Sequence, residues 1–162
     1  KYPYYAYSDL KVQFPNSDYL SRKLAELYFR IANALQPQLW ISYQPLSEIY
    51  SHYIRSGCEQ TFILTINSEL NLKQELTVSM KTFDVACISL SGDLFDVYER
   101  LLHIAHQRSV LILEQIHRNK ENRNFWNHVV SDPSTSVTFD LYYCGIAFFD
   151  RTKSKQNFLV NF

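Results

Sequence analysis

The chain has 162 residues, of which 46% are hydrophobic and 20% are charged. This balance excludes a disordered chain and predicts a domain with a sizeable core. Sixteen basic residues offset sixteen acidic ones, so there is no net charge to attract nucleic acid or an anionic membrane. Because no long apolar run is visible either, we expect no membrane segment and no nucleic-acid partner.

Three cysteines, Cys58, Cys87 and Cys144, are scattered along the chain without the spacing of a metal site. Two of them, Cys87 and Cys144, fall inside apolar strand patterns, which predicts buried thiols. An odd number of scattered thiols is typical of a reducing compartment. We therefore expect a cytoplasmic protein without a bound metal.

The first 17 residues carry four tyrosines and two prolines without a clear period. This pattern predicts an aromatic N-terminal arm, residues 1–17, that packs on the body of the protein or on a partner. Residues 18–162 are expected to form a single α/β domain, because no linker or internal repeat interrupts them.

Helical and strand patterns alternate after the arm. Helices are predicted at residues 19–35, 45–56, 93–106 and 119–130. Strands are predicted at residues 39–43, 61–66, 83–89 and 110–115, with a weak edge strand at 76–80. Asp18 or Ser21 caps the first helix and Pro37 follows it, while Gly57 closes the second. Strands separated by such helices predict right-handed βαβ units and a parallel sheet.

The segment from Val110 to Phe162 is the most informative part of the chain. Its strand is apolar and turns polar at its end, as a central parallel strand does on reaching a ligand crevice. After the next helix, residues 138–149 and 156–162 are β-rich and are separated by the charged turn 150–155. We predict that these two stretches pair as a long antiparallel hairpin at one edge of the sheet.

The order of the elements resembles class I S-adenosylmethionine-dependent methyltransferases, in particular an O-methyltransferase-like branch. The likeness covers about residues 21–162. The matching tail residues are Ile116-His117, Trp126, Asp140-Leu141, Gly145-Ile146, Phe148-Phe149 and Lys155-Gln156. The resemblance implies a three-layer Rossmann-like fold with a mostly parallel sheet and a C-terminal antiparallel hairpin. The stretch 69–82 is short for the family, which leaves open whether one strand and one helix are missing.

The positions that would bind the cofactor depart from the family pattern. In such enzymes the first strand ends in an acidic residue and a Gly-rich turn, and this chain has Ser42, Gln44 and Glu48 there. Side chains would occupy the space that glycine leaves open. Asn67 replaces the ribose-binding carboxylate, and Ser89 replaces the acidic residue of the fourth strand. The resemblance therefore implies that S-adenosylmethionine does not bind in the usual pose.

Two residues are candidates for catalysis, Glu114 and His117. Glu114-Gln115 stand where metal-using relatives carry paired aspartates, and one carboxylate beside an amide is a poor divalent-cation site. Glu114 either has a raised pKa at its strand end or pairs structurally with Arg118 or Lys120. His117 lies just past the strand, where general bases often sit, or else binds a loop backbone.

These departures favour the first of two functions, and the second stays open as the alternative. The first is a catalytically degenerate methyltransferase-fold protein, without a cofactor, that acts as a binding or interaction module. Its partner would be an unidentified protein or small molecule, or a second copy in a homo-oligomer. The second is an active S-adenosylmethionine-dependent O-methyltransferase with Glu114 or His117 as base. A third, weaker possibility is another small ligand, such as a nucleotide, in a remodelled crevice. That crevice would be lined by Tyr43, Gln44, Asn67, Ser89, Glu114 and His117.

Overall fold

The structure is a computed structural model that describes residues 7–43, 46–67, 82–91 and 94–161. The helices in these ranges are α1 Tyr7–Gln13, α2 Tyr19–Leu35, α3 Glu48–Gly57, α4 Phe95–Ile104 and α5 Lys120–Ser131. The strands are β1 Leu39–Tyr43, β2 Phe62–Ile66, β3 Phe83–Ser89, β4 Ala105–Glu114, β5 Val137–Asp140, β6 Cys144–Phe148 and β7 Gln156–Leu159.

The described strands form one seven-stranded sheet in the order β2-β1-β3-β4-β6-β5-β7. Strands β1 to β4 pair in parallel, whereas β6 runs antiparallel to both of its neighbours, β4 and β5. The predicted α/β fold, a mostly parallel sheet with an antiparallel C-terminal part, is confirmed.

The predicted pairing of the C-terminal hairpin is wrong. The hairpin joins β5 to β6, and β7 lies on the other side of β5 and runs parallel to it. The reason is a tight turn within residues 138–149, a stretch whose apolar pattern predicts a single strand. Tyr142 adopts a positive φ of 70°, and its amide donates to Oδ1 of Asp140 at 2.8 Å. Such an Asx-type turn reverses the chain.

The sheet separates two helical layers, because alternate residues of each strand face opposite sides. On β4, Leu111 and Leu113 belong to the apolar cluster that includes side chains of α4 and α5. The neighbouring Val110 and Ile112 belong to the cluster that includes side chains of α2 and α3. Glu114 continues the second series, so its side chain emerges on the α2 and α3 side. The three-layer arrangement is thus confirmed.

Helix α2 is fixed at its start by the predicted cap. Oδ1 of Asp18 accepts a hydrogen bond from the amide of Ser21 at 2.9 Å, which satisfies one of the free amides of the first turn. The helix then packs closely on α3. A Cβ on Gly57 would lie 2.6 Å from the carbonyl oxygen of Phe29, so the approach of the two helices depends on this glycine.

Helix α4 ends before its predicted end at residue 106, and β4 begins at Ala105 rather than at Val110. Hydrogen bonding to β3 decides this boundary. Oγ of Ser109 accepts from the amide of His106 at 2.9 Å and donates to the carbonyl of Phe83 at 2.6 Å. These bonds accompany a register shift between β3 and β4, which the polar sequence of 105–109 does not reveal.

Other sequence predictions have mixed outcomes. All three cysteines are buried and free, as expected for Cys87 and Cys144. Part of the N-terminal arm is a helix, α1, whose Leu10 is buried in a cluster with Phe29 and Tyr53. Residues 1–6 and the predicted edge strand 76–80 lie outside the described residues. In the part of the chain that is described, no helix is long and apolar enough to cross a membrane.

Gly145 of β6 faces the buried ring of Trp126, and a Cβ there would lie 2.6 Å from a ring atom. We expect Gly145→Ala to lower the free energy of unfolding by about 1–3 kcal/mol through overpacking. Urea denaturation followed by circular dichroism measures the loss. In a Trp126→Leu background the same change should cost much less, and equal costs in both backgrounds would contradict this packing account.

Candidate functional site

Two adjoining clefts open at the carboxyl ends of the parallel strands, where ligands bind in open α/β sheets. The first cleft, of about 310 Å³, lies at the ends of β1 and β3. The second cleft, of about 610 Å³, lies between the start of α2 and the turn after β5. Four residues line both clefts and join them into one crevice: Tyr50, Glu114, Gln115 and Arg118. Both volumes fall in the range of small-molecule sites.

Glu114 sits at the junction of the clefts and is bound from below by Tyr28. The Tyr28 hydroxyl of α2 donates a short hydrogen bond to Oε1 of Glu114. Sγ of Cys87 lies 3.5 Å from the Tyr28 hydroxyl and 3.7 Å from the same carboxyl oxygen. The tyrosine ring itself is fully buried and packs edge-on against Tyr50 at 5.0 Å. The carboxyl group is thus part of a packed polar cluster.

Burial controls the protonation of this cluster. It raises the pKa of Glu114, an effect that the hydrogen bonds from Tyr28 and Cys87 only partly offset. Burial also raises the pKa of Tyr28 well above its ordinary value and that of Cys144 to about 12. Of the two interpretations of Glu114, its burial favours the raised pKa. Its described hydrogen-bond partners are Tyr28 and Cys87, because Arg118 bonds instead to Gln115 at 2.8 Å.

His117 is held by a carboxylate on the wall of the second cleft. Its Nε2 lies 2.7 Å from Oδ2 of Asp140, the last residue of β5. The imidazole also stacks on the ring of Tyr142, with 5.4 Å between the centroids. His117 thus bonds to a side-chain carboxylate, and the alternative prediction of a bond to a loop backbone is wrong. A histidine oriented by a carboxylate has the arrangement of a general base or of a fixed ligand contact.

The predicted cofactor positions separate into two groups. Ser42, near the end of β1, is buried, and Ser89 ends β3, and both line the first cleft. Glu48 lies outside the cleft lining: its side chain is 82% exposed and lies 3.9 Å from His52. Asn67 is exposed just after β2 and is not among the lining residues of either cleft. Gln44 falls outside the described residues.

No protein-family model matches the sequence, and no curated protein matches it significantly. Solved structures do match the fold. A methyltransferase from Geobacter sulfurreducens has a TM-score of 0.64 at 13% identity, over 93% of this chain and 91% of that one. An O-methyltransferase from Bacillus cereus in complex with SAH gives 0.62 at 12% identity, over 88% of both chains. An O-methyltransferase from Streptomyces achromogenes, involved in tomaymycin synthesis and in complex with SAM, gives 0.63 at 10% identity, over 91% of both chains.

The chain has the class I O-methyltransferase-like fold. The crevice lies at the carboxyl ends of the parallel strands, where ligands bind in open α/β sheets. Identities this low establish the fold and leave the chemistry to the residues of the crevice. The resemblance that the sequence tail suggested is therefore confirmed at the level of the fold.

Glu114 and Gln115, which the resemblance implies to stand at a paired-aspartate position, are each bonded to another side chain. Oε1 of Glu114 receives the Tyr28 hydroxyl, and Oε1 of Gln115 receives Nη1 of Arg118. Each of these two oxygens thus accepts a hydrogen bond from a protein side chain instead of being free to coordinate a metal ion. Among the described residues, no group of three or more His, Cys, Asp or Glu side chains is arranged to hold a metal ion.

Several residues of the crevice were missed by sequence reasoning. Tyr28 is separated from Glu114 by 86 positions and sits on a helix face that reads as ordinary core. Asp140 belongs to the matching tail residues, but nothing in the sequence pairs it with His117. The sequence offers Arg118 only as a possible partner of Glu114, not as a residue that lines the crevice. These residues can be recognised only in the structure, where the fold brings them together at one edge of the sheet.

Removal of the Tyr28 hydroxyl should leave the buried Glu114 carboxyl short of a donor. We expect Tyr28→Phe to lower the free energy of unfolding by about 1–3 kcal/mol, because an unsatisfied buried polar group is costly. Tyr19→Phe is the matched control, since Tyr19 is 68% exposed. Urea denaturation of both variants tests this, and equal, small losses would show that the hydrogen bond contributes nothing.

The free energy of unfolding should depend on pH through the ionisation of Glu114. Its pKa is raised in the folded state above the ordinary value of 4.5, so its contribution is complete below that pH and is lost as pH rises through the folded pKa. Glu114→Gln cannot ionise. We therefore expect the unfolding free energy of the variant, relative to the natural protein, to increase between about pH 4 and pH 7. A difference that stays constant with pH would contradict the raised pKa.

Proposed function

We propose that this protein is a small-molecule binding module built on a methyltransferase fold, and that it does not transfer methyl groups. The observation that carries the proposal is the state of Glu114. The carboxyl at the centre of the crevice is partly buried and accepts the Tyr28 hydroxyl, and burial raises its pKa. A carboxyl group with these contacts contributes to the packed lining of the crevice.

Catalytic use of Glu114 would require the charged form to be available to a substrate. A general base must accept a proton within hydrogen-bond reach, and a metal ligand must present free carboxylate oxygens. Burial disfavours the charge, and Oε1 is already occupied by Tyr28. The surroundings of Glu114 therefore disfavour its ionised form, which supports a structural role for this residue.

Ligand binding is supported by the open space of the first cleft. Ser42 and Ser89 line it in place of larger acidic side chains, while the exposed Glu48 contributes nothing to its described lining. Its walls combine hydroxyls with apolar and aromatic groups such as Leu90 and Tyr50. Concave sites of this size with a few convergent polar groups are typical of small-molecule binding.

A second candidate is an S-adenosylmethionine-dependent O-methyltransferase. The His117–Asp140 pair favours it, as do the solved O-methyltransferases of this fold that hold SAH or SAM. With its Nε2 proton donated to Asp140, His117 would accept the acceptor's hydroxyl proton at Nδ1. The acceptor oxygen would then bond to the methyl carbon as the carbon–sulfur bond breaks, and the sulfur would keep the electron pair.

Two measurements separate these candidates. We expect no methyl transfer from methyl-labelled S-adenosylmethionine to phenol or catechol acceptors. We also expect that at least one of three probes, S-adenosylhomocysteine, adenosine or adenosine 5′-monophosphate, raises the melting temperature, since a ligand that binds only the folded state stabilises it. Ser91→Trp, at an exposed rim position of the first cleft, should abolish that rise.

Label transfer that disappears in His117→Ala would establish the second candidate and reject the binding module. If no probe raises the melting temperature at millimolar concentration, the binding proposal is wrong. A rise that persists in Ser91→Trp would place the ligand outside the first cleft and also contradict it.

A further inference from the structure

The charges along the first cleft favour an anion. Its described lining contains one carboxyl group, on Glu114, and one guanidinium group, on Arg118. Oε1 of Glu114 accepts the Tyr28 hydroxyl, and burial raises the pKa of this carboxyl. Arg118 bonds to the amide oxygen of Gln115 rather than to Glu114, so its guanidinium can meet a ligand in the first cleft. A ligand with a positive sulfonium group would meet like charge in this cleft, whereas an oxyanion would meet a guanidinium.

Arg118 is positioned by a hydrogen-bonded turn. Gln115 adopts a left-handed conformation with a φ of 63°, and its amide donates to the carbonyl of Tyr143 at 2.7 Å. Its carbonyl accepts from Nδ2 of Asn122 at 2.8 Å and from the amide of Arg118 at 3.1 Å. Its Oε1 accepts from Nη1 of Arg118 at 2.8 Å. When several hydrogen bonds hold a residue other than glycine at a positive φ, the turn is often part of a functional site.

The remaining chemistry of the cleft suits an amphiphilic anion. Ser89 and Ser91 provide hydroxyl groups near the strand ends, and hydroxyls donate to carboxylate or phosphate oxygens. Leu46 and Leu90 provide apolar wall for the rest of a molecule. We propose that the first cleft binds a small organic oxyanion, with Arg118 contacting its charged end. This inference rests on the proposed binding function and narrows its ligand to one chemical class.

The second cleft is less suited to the same ligand. It is lined by Asp18, whose pKa is lowered by hydrogen bonds from the side chain and the backbone of Ser21. His117 on its wall is engaged by the Asp140 carboxylate. Negative charge on these two aspartates opposes a second anion there. The anionic end of the ligand therefore belongs in the first cleft, on the side of Ser89.

Calorimetric titration at low salt, where charge effects are least screened, tests the assignment with matched probes. Adenosine 5′-monophosphate and adenosine differ in one phosphate, and we expect the phosphate to tighten binding at least tenfold. Arg118→Gln should remove that advantage, as expected for the loss of a charge-assisted hydrogen bond. Arg123→Gln is the control, because Arg123 is exposed on α5 and lines neither cleft; its binding should not change.

Phenyl phosphate and benzoate, titrated in the same way, distinguish a phosphate from a carboxylate as the preferred oxyanion. Equal affinities for adenosine and its monophosphate, tighter binding of S-adenosylmethionine, or equal effects of the two arginine variants would overturn the anion assignment and leave the binding module intact. If none of the probes binds at millimolar concentration, both the anion assignment and the binding module fail.

Discussion

The hydrogen bond from Tyr28 to Glu114 is the constraint on which the crevice depends. It joins the middle of α2 to the end of the central strand β4, across the boundary between the helical layer and the sheet. A carboxyl group placed there without a donor would be an unsatisfied buried acid, which proteins avoid. With the Tyr28 hydroxyl bound to it, Glu114 is a packed side chain that lies between the two clefts and lines both.

On the proposed function, this arrangement lets a methyltransferase fold keep its crevice without methyl transfer. The parallel strands still end at one edge, and the clefts are still bounded by α2, α3 and the turn after β5. The proposed binding function rests on the side chains at this edge. Ser42 lies near the end of β1 and Ser89 ends β3, Glu114 of β4 is bonded to Tyr28, and Arg118 contributes a positive charge. Fold and reaction are separable in general because packing specifies the first and a few strand-end residues specify the second.

Much of the fold could be predicted from the sequence because its signals are local. Buried strands such as 83–89 read as continuous apolar runs, and α2 combines a helical period with a cap at Asp18. The C-terminal pairing was predicted wrongly because the Asp140–Tyr142 turn carries neither glycine nor proline and is flanked by apolar residues. The site was harder still. The partners of Glu114 and His117 lie 86 and 23 positions away, and no local pattern encodes such distances.

The conformation of Gln115 bears on how the crevice tolerates sequence change. A left-handed backbone suits aspartate and asparagine better than glutamine, and holding an ill-suited residue there costs of order 1–3 kcal/mol. The turn nevertheless persists, because its amide, its carbonyl and its side-chain oxygen are all tied to Tyr143, Asn122 and Arg118. The hydrogen bonds at this strand end therefore hold the backbone in place against the conformational preference of its residue. The turn can in this way accept a side chain that its own local propensity disfavours.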